Sequence, residues 1–477
     1  MSPRAFSLVP AAPVRRIRAV MSKRVYVETY GCQMNKLDSE LAEQALAEAG
    51  FARTEEVREA DLIVLNTCSV RDHAEHRVVS RLGRLKPGGR ERKDGSVLAV
   101  IGCMAQREGE GLFRLAPHLD VVAGTKEFVR LPELYAQAVG RPGQRITALD
   151  LESEFEYARD PRFREDRHRA WVTIMRGCDL HCTYCIVPTT RGPEESRPLQ
   201  QVVHEVEHLV ADGVVEVTLL GQTVNSWGKQ LPGSPDLADL LAALDEIPGL
   251  LRTRFITSHP NFFQNGFWRR VKGLRTFCPY VHVPAQSGSD RVLKRMCRLY
   301  DTARYREMVA EARAEIPGIA LASDWIVGFP GETEADFQAS LDLLQEVRFA
   351  QSFVFMYSPR PGTPSEQRLE DDVPEAEKNR RCNALLDAQE EIMRQLYAAD
   401  VGRTVEVLVD GPSKTRAERL SGRTREHRIV VFEGPPSLRG KLVQVEVDMA
   451  SSNTLYGHLP GAPPISPPRQ RALPVIA

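Results

Sequence analysis

The segment VYVETYGC, residues 25–32, is a run of β-branched and aromatic residues that stops at a glycine and a cysteine. The same grammar returns in DLIVLNTC (61–68) and VLAVIGC (97–103), so a thiol stands just past the end of each run, at Cys32, Cys68 and Cys103. Amphipathic helical stretches such as NKLDSELAEQALAEAG (35–50) separate them. Apolar strands alternating with helices predict a parallel sheet covered on both faces, a doubly wound α/β domain. In such sheets ligands gather outside the carboxyl ends of the strands. If the three strands are neighbours, the thiols converge on one edge as soft ligands for a single metal centre. The alternative for each taken alone is a buried apolar cysteine.

At 477 residues and 53.4 kDa the chain exceeds what one core usually supports, which predicts two or three domains. Lys plus Arg number 63 against 64 Asp plus Glu, a net charge of -1, so any basic surface for nucleic acid must be local. No apolar run approaches the roughly 20 residues that span a bilayer, and a cytoplasmic protein without membrane contact is expected. Nine cysteines, an odd number, favour reduced thiols, metal ligands or catalytic groups over a disulfide scaffold. Residues 1–22 hold four Arg and no acid before a second methionine at Met21. They read as a disordered extension or an early start codon; an organelle transit segment, and hence a matrix location, is the alternative.

The alternating series of the first domain runs over 23–144, and a polar, charge-dense stretch at 145–163 reads as a linker. A second series over 164–398 contains AWVTIMRG, VVEVTLLG, TRFITSH, YVHVP, LASDWIVGF and QSFVFMYS, each followed by a helical pattern. Six βα units predict a full or partial parallel barrel. Over 399–459 the period changes to short alternating strands separated by Gly and Pro, which predicts a small antiparallel β-barrel. Between its first two strands lies SKTRAERLSGRTREHR (413–428), a basic segment suited to phosphate contacts, or else a solvated loop. The tail, 460–477, is Pro-rich and reads as disordered.

RGCDLHCTYC (176–185) places Cys178, Cys182 and Cys185 at C-x3-C-x2-C directly after the first strand of the barrel, on its catalytic face. A loop this short can wrap three thiolates around one iron–sulfur cubane and leave the fourth iron open for substrate or cofactor. Zinc held with His181, or a redox pair of Cys182 and Cys185, are the alternatives. Cys278, Cys297 and Cys382 share no such placement.

This C-x3-C-x2-C spacing, with Tyr184 before the last cysteine, resembles the radical S-adenosylmethionine superfamily. With the three-cysteine domain in front and a small terminal barrel of the TRAM type behind, the chain from 23 to 458 is similar to the methylthiotransferase family. YGCQMN (30–35), NTCSVRDHAE (66–75), IVPTTRGPEESRP, HVPAQSGSDRVLKRMCRLY and DWIVGFPGETEADF are similar to its tRNA-modifying branch rather than to its ribosomal-protein branch. The resemblance implies two [4Fe-4S] clusters, one on Cys178, Cys182 and Cys185 and an auxiliary one on the catalytic set Cys32, Cys68 and Cys103 that holds the sulfur. It implies two S-adenosylmethionine molecules, a methyl donor and a radical source, with Tyr184, Gly221, Gln222 and Gln286 at the cofactor. Asn225, His282, Ser287, Asp324 and Arg360 stand near other strand ends and are further contact candidates. The implied reaction places a methylthio group on carbon 2 of N6-isopentenyladenosine beside the tRNA anticodon. The implied partners are that tRNA, an electron donor of flavodoxin or ferredoxin type and a sulfur donor, with the protein acting as a monomer. Threonylcarbamoyladenosine in tRNA and a ribosomal-protein aspartate are alternative targets. Thr223 and His427 depart from residues common in the family, which bears on RNA contacts and leaves the cysteines untouched.

Overall fold

A computed structural model describes residues 23–69, 72–151, 159–414 and 416–464; the extension 1–22 and most of the 460–477 tail lie outside them. The first domain is a six-stranded, all-parallel sheet of β1 (Lys23–Thr29), β2 (Phe51–Arg53), β3 (Leu62–Thr67), β4 (Val97–Gly102), β5 (Val121–Ala123) and β6 (Ile146–Ala148). Their spatial order is β2-β1-β3-β4-β5-β6. Every residue of β3 and β4 is buried. Alternate side chains feed two cores: Leu62 and Val64 join Leu37, Leu41 and Leu134 on one face, and Ile63 and Leu65 join Val78, Leu82 and Phe113 on the other. That two-sided burial explains the continuous apolar runs.

Two short edge strands depart from the sequence reading. β6 lies inside the stretch read as linker, and β2 follows the first helix directly. With three residues apiece, neither is long enough to show a period.

The second domain is a partial (β/α)6 barrel made of β7 (Arg169–Thr173), β10 (Glu216–Leu220), β11 (Arg252–Phe255), β12 (Tyr280–His282), β13 (Ala320–Val327) and β14 (Gln351–Met356). Two parallel three-stranded sheets, β7-β10-β11 and β12-β13-β14, meet at an isolated parallel bridge between Thr253 and Phe277. Val172, Val217, Val281, Leu321 and Trp325 point outward into the core beneath the surrounding helices. After β7 the chain forms a two-residue ribbon of β8 (Met175–Arg176) and β9 (Glu195–Ser196) that brackets the C-x3-C-x2-C loop.

The third domain is a closed barrel of β15 (Thr404–Pro412), β16 (Leu420–Arg423), β17 (Ile429–Phe432), β18 (Leu442–Ala450) and β19 (Leu455–His458), in the order β15-β16-β17-β19-β18. Its pairs are antiparallel except for β17 with β19, which run parallel. Buried Arg252 and Arg254 on β11 donate to the carbonyls of Arg423, Thr424 and Arg425 at 2.6–2.9 Å. Arg425 returns the contact through the carbonyls of Arg275 and Phe277. Among the described residues no helix is long and apolar enough to cross a membrane.

Candidate functional site

β1, β3 and β4 are consecutive in the sheet, so Cys32, Cys68 and Cys103 share one edge, as the strand pattern predicts. Cys32 caps the helix Gln33–Glu48, Cys68 follows β3, and Cys103 opens the helix after β4. Gly102, at φ +92°, makes the turn into Cys103; a Cβ there would come within 2.6 Å of the Thr67 carbonyl oxygen. Fully buried Asn35, in the helix after Cys32, and Asn66, on β3, tie the Cys32 and Cys68 segments together. Asn35 Nδ2 donates to Asn66 Oδ1 at 3.0 Å and to the Thr67 carbonyl at 3.1 Å, and Asn66 Nδ2 donates back to the Asn35 carbonyl at 2.7 Å.

The thiols differ electrostatically. A hydrogen bond from Cys68, helped by the charge of Arg191, brings the Cys32 thiol down to about 6, whereas burial pushes Cys103 up. Arg191 comes from the other domain, in the helix Val187–Arg191 just past Cys185, and is buried against Cys103 and Cys32. Its Nη1 lies 2.9 Å from Asp38 Oδ2 as a buried ion pair, and the guanidinium also hydrogen-bonds the Cys103 side chain. Arg176 approaches the other Asp38 oxygen at 3.1 Å. A buried guanidinium facing soft thiols fits an anionic, thiolate-bound group.

In the C-x3-C-x2-C loop, Gly177 (φ +71°) precedes Cys178, and a Cβ there would meet the Pro193 carbonyl at 1.8 Å. Burial raises the Cys178 thiol, and burial together with Cys182 pushes Cys185 up to about 12. Arg298 Nη1 donates to Cys182 Sγ at 3.3 Å. The Tyr184 ring packs edge-on to Phe329 at 6.5 Å. His181 is exposed, and among the described residues no three Cys, His, Asp or Glu side chains cluster as they would around a single ion. A cubane spreads its thiolates over different irons, so the donor set suits a cluster better than zinc.

The helix Val187–Arg191 packs against the front domain, where Thr125 Oγ1 donates to the Thr190 carbonyl at 2.7 Å. Gly221 turns tightly after β10, where a Cβ would meet Met175 Cγ at 2.4 Å. Gln222 and Gln286 each present a buried side-chain oxygen without a partner, and Gln286 holds φ +65°. His282 and Asp324 pair at 3.1 Å. Other candidates are tied into the scaffold. Asn225 exchanges hydrogen bonds with the backbone of His259, Ser287 sits beside Ser340, and His427 stacks on Tyr280 at 4.6 Å. Cys278 is buried, Cys382 half-buried and Cys297 exposed.

Sequence patterns did not single out Arg191, Asp38 or Arg298. Arg191 stands inside the quoted IVPTTRGPEESRP, but its partner lies on another domain. The basic segment is also partly redirected: Arg425 reaches into the barrel domain, while Arg423 pairs with Asp410 and His427, Arg428 with Asp400 and Arg419 with Glu433. Lys414 remains exposed.

Three family profiles match the chain: "Uncharacterized protein family UPF0004" over 24–124, the radical SAM superfamily over 172–344 and the TRAM domain over 398–459. The tRNA-2-methylthio-N(6)-dimethylallyladenosine synthase of Symbiobacterium thermophilum is 42% identical over 460 residues, covering 94% of this chain and 97% of that one. The protein of the same name from Protochlamydia amoebophila is 43% identical, covering 92% and 96%. Among solved structures, the radical S-adenosylmethionine methyltransferase TsrM from Kitasatospora setae, with tryptophan and a SAM analogue bound, superposes with a TM-score of 0.52 at 16% identity. That match covers 72% of this chain and 75% of that one, and it shows a shared fold. Three cysteines on one sheet edge, a cysteine loop at the barrel mouth and these identities lead to one conclusion: the chain belongs to the tRNA-2-methylthio-N(6)-dimethylallyladenosine synthase family of radical SAM proteins.

Proposed function

We propose that the protein places a methylthio group on carbon 2 of N6-dimethylallyladenosine in tRNA, consuming S-adenosylmethionine as methyl donor and as radical source. The observation that carries this reading is the junction of the two cysteine sets through the helix Val187–Arg191. When bound, a cluster on Cys178, Cys182 and Cys185 supplies the electron that cleaves S-adenosylmethionine, and one on Cys32, Cys68 and Cys103 supplies the sulfur.

The chain's own residues prepare these sites. Arg191 helps hold the Cys32 thiol low, as ligation demands, and Arg298 fixes Cys182 by a hydrogen bond to its sulfur. The unpartnered oxygens of Gln222 and Gln286 can accept hydrogen bonds from an ammonium or hydroxyl of the cofactor. The front domain, laid over the mouth, excludes water from the reacting base. Asp38 holds Arg176 and Arg191 in register, so it is a positioning residue. Electrons and replacement sulfur come from separate donors, and the protein acts as a monomer in the cytoplasm.

Nucleoside mass spectrometry on tRNA carrying dimethylallyladenosine, treated anaerobically with the reconstituted protein, tests the reading. The expected product is the 2-methylthio nucleoside, lost in Cys32→Ala and in Cys178→Ala. Methylthiolation by Cys32→Ala, or product only on threonylcarbamoyladenosine or on a ribosomal protein, overturns it.

A further inference from the structure

Successive side chains of a strand point to opposite sides. On β12 and β13, Val281, Leu321, Trp325 and Val327 enter the outer core under the helices, so His282, Ala322, Asp324 and Ile326 face the barrel interior. The register of β14 places Gln351, Phe353 and Phe355 beside Ala322, Asp324 and Ile326 on that inner face. Phe353 meets the His282 ring edge-on at 6.1 Å. Ile326 reaches the packing group of Tyr184, so the wall rises toward the C-x3-C-x2-C loop.

Much of the rest of the interior is covered. Over β7, β10 and β11 the front domain packs its own core onto Trp171, Leu220 and Ile256. At the floor, the turn around residues 423–427 fills the space against Arg252, Arg254 and Tyr280. On the inner face of β14, Phe353 and Phe355 keep 40% and 36% of their surface exposed. Two aromatic rings two residues apart on the inner face of one strand, each left exposed, call for an apolar occupant.

Resting on the function proposed above, we propose that Phe353, with Phe355 one step nearer the mouth, seats the dimethylallyl group of the substrate nucleoside and sets the preference for it. The group is branched, flat and without hydrogen-bonding atoms, so flat apolar rings match it. The His282–Asp324 pair alongside gives the same wall a polar edge for the base or ribose. Threonylcarbamoyl, which is polar and anionic, would desolvate without a partner against these rings.

The test compares binding of two anticodon stem-loop RNAs, identical except for dimethylallyladenosine or adenosine at the target position, to cluster-loaded protein. The wild type should prefer the modified RNA, and Phe353→Ala should cut that ratio about tenfold or more, as expected for one apolar group in a fitted site. Phe353→Leu should keep most of the preference and Phe353→Asp should abolish it. The ring is solvent-exposed, so truncation opens no core cavity, and an unchanged melting temperature verifies the fold. A wild-type preference that survives Phe353→Ala and Phe353→Asp overturns the assignment while leaving the function intact. A wild type without any preference overturns the function, and this assignment with it.

Discussion

The Asp38 carboxylate lies 2.9 Å from Arg191 and joins two domains at the point where their cysteine sets meet. Asp38 sits in the first domain's opening helix, and Arg191 ends the helix that leaves the second domain's cysteine loop. With Arg176 at 3.1 Å on its other oxygen, one buried acid serves two buried bases. Replacing it by alanine removes the carboxylate that both guanidiniums share. Asp38→Ala should lose about 3 kcal/mol or more of stability, read as a lowered denaturation midpoint, while Arg176 and Arg191 remain in place.

Iron and sulfide analysis after anaerobic reconstitution should give about eight irons per chain from two four-iron clusters. The triple Cys→Ala variant of Cys32, Cys68 and Cys103 should retain half, and so should that of Cys178, Cys182 and Cys185. A value near four in the wild type would mean that one set carries no cluster.

Gly177 is the position least able to accept a side chain near the second set, since a Cβ would overlap the Pro193 carbonyl and its φ is +71°. Gly177→Ala must part the β8–β9 ribbon, at about 1–3 kcal/mol for the backbone strain alone. Iron at the second set should fall, with the front set still loaded.

His259 is buried among Tyr300 and Phe262, and burial together with the charges of Arg298 and Lys229 lowers its basicity to about 2. In the unfolded chain the same imidazole binds its proton near 6.5. Its folded value lies below its unfolded one, so the unfolded state takes up the extra proton between those limits. Stability is unaffected above pH 6.5 and falls by about 1.4 kcal/mol per pH unit below it. Urea titrations of the cluster-free chain should show this acid limb, and His259→Phe should flatten it.

The basic segment divides by direction. Arg425 donates to the Phe277 carbonyl at 2.6 Å, so Arg425→Ala should loosen the third domain and raise its sensitivity to proteolysis. Lys414 is exposed, and Arg416 is half-buried two residues further on. The double change Lys414→Ala, Arg416→Ala should weaken RNA binding alike for all sequences and lower the salt slope by about 2. An unaltered slope would remove this segment from the RNA surface.

Much of the site was legible because strand ends are punctuated in the text. The strand-forming runs at 25–30, 61–67 and 97–102 each end beside a cysteine, and neighbouring strands bring the three together. β2 and β6 were not legible, since three residues pair through the backbone without showing a pattern. Arg191 and Arg298 were hidden for another reason: their significance lies in partners far along the chain, and arginine in a loop reads as solvated. The segment 413–428 was over-read, because counting charges does not reveal which way they point. Arg254 on β11 and the carbonyls of 424–425 turn that stretch inward. Gln222 and Gln286 were marked by place alone, and their unpartnered oxygens are what the structure adds.

The turn at 423–427 converts a tube into a cup. With its base stoppered by Arg252, Arg254 and the Tyr280–His427 stack, the barrel is left with its opposite end open, and on the function proposed above the nucleoside enters and leaves there. Departure of one finished base and arrival of the next then become successive uses of a shared passage.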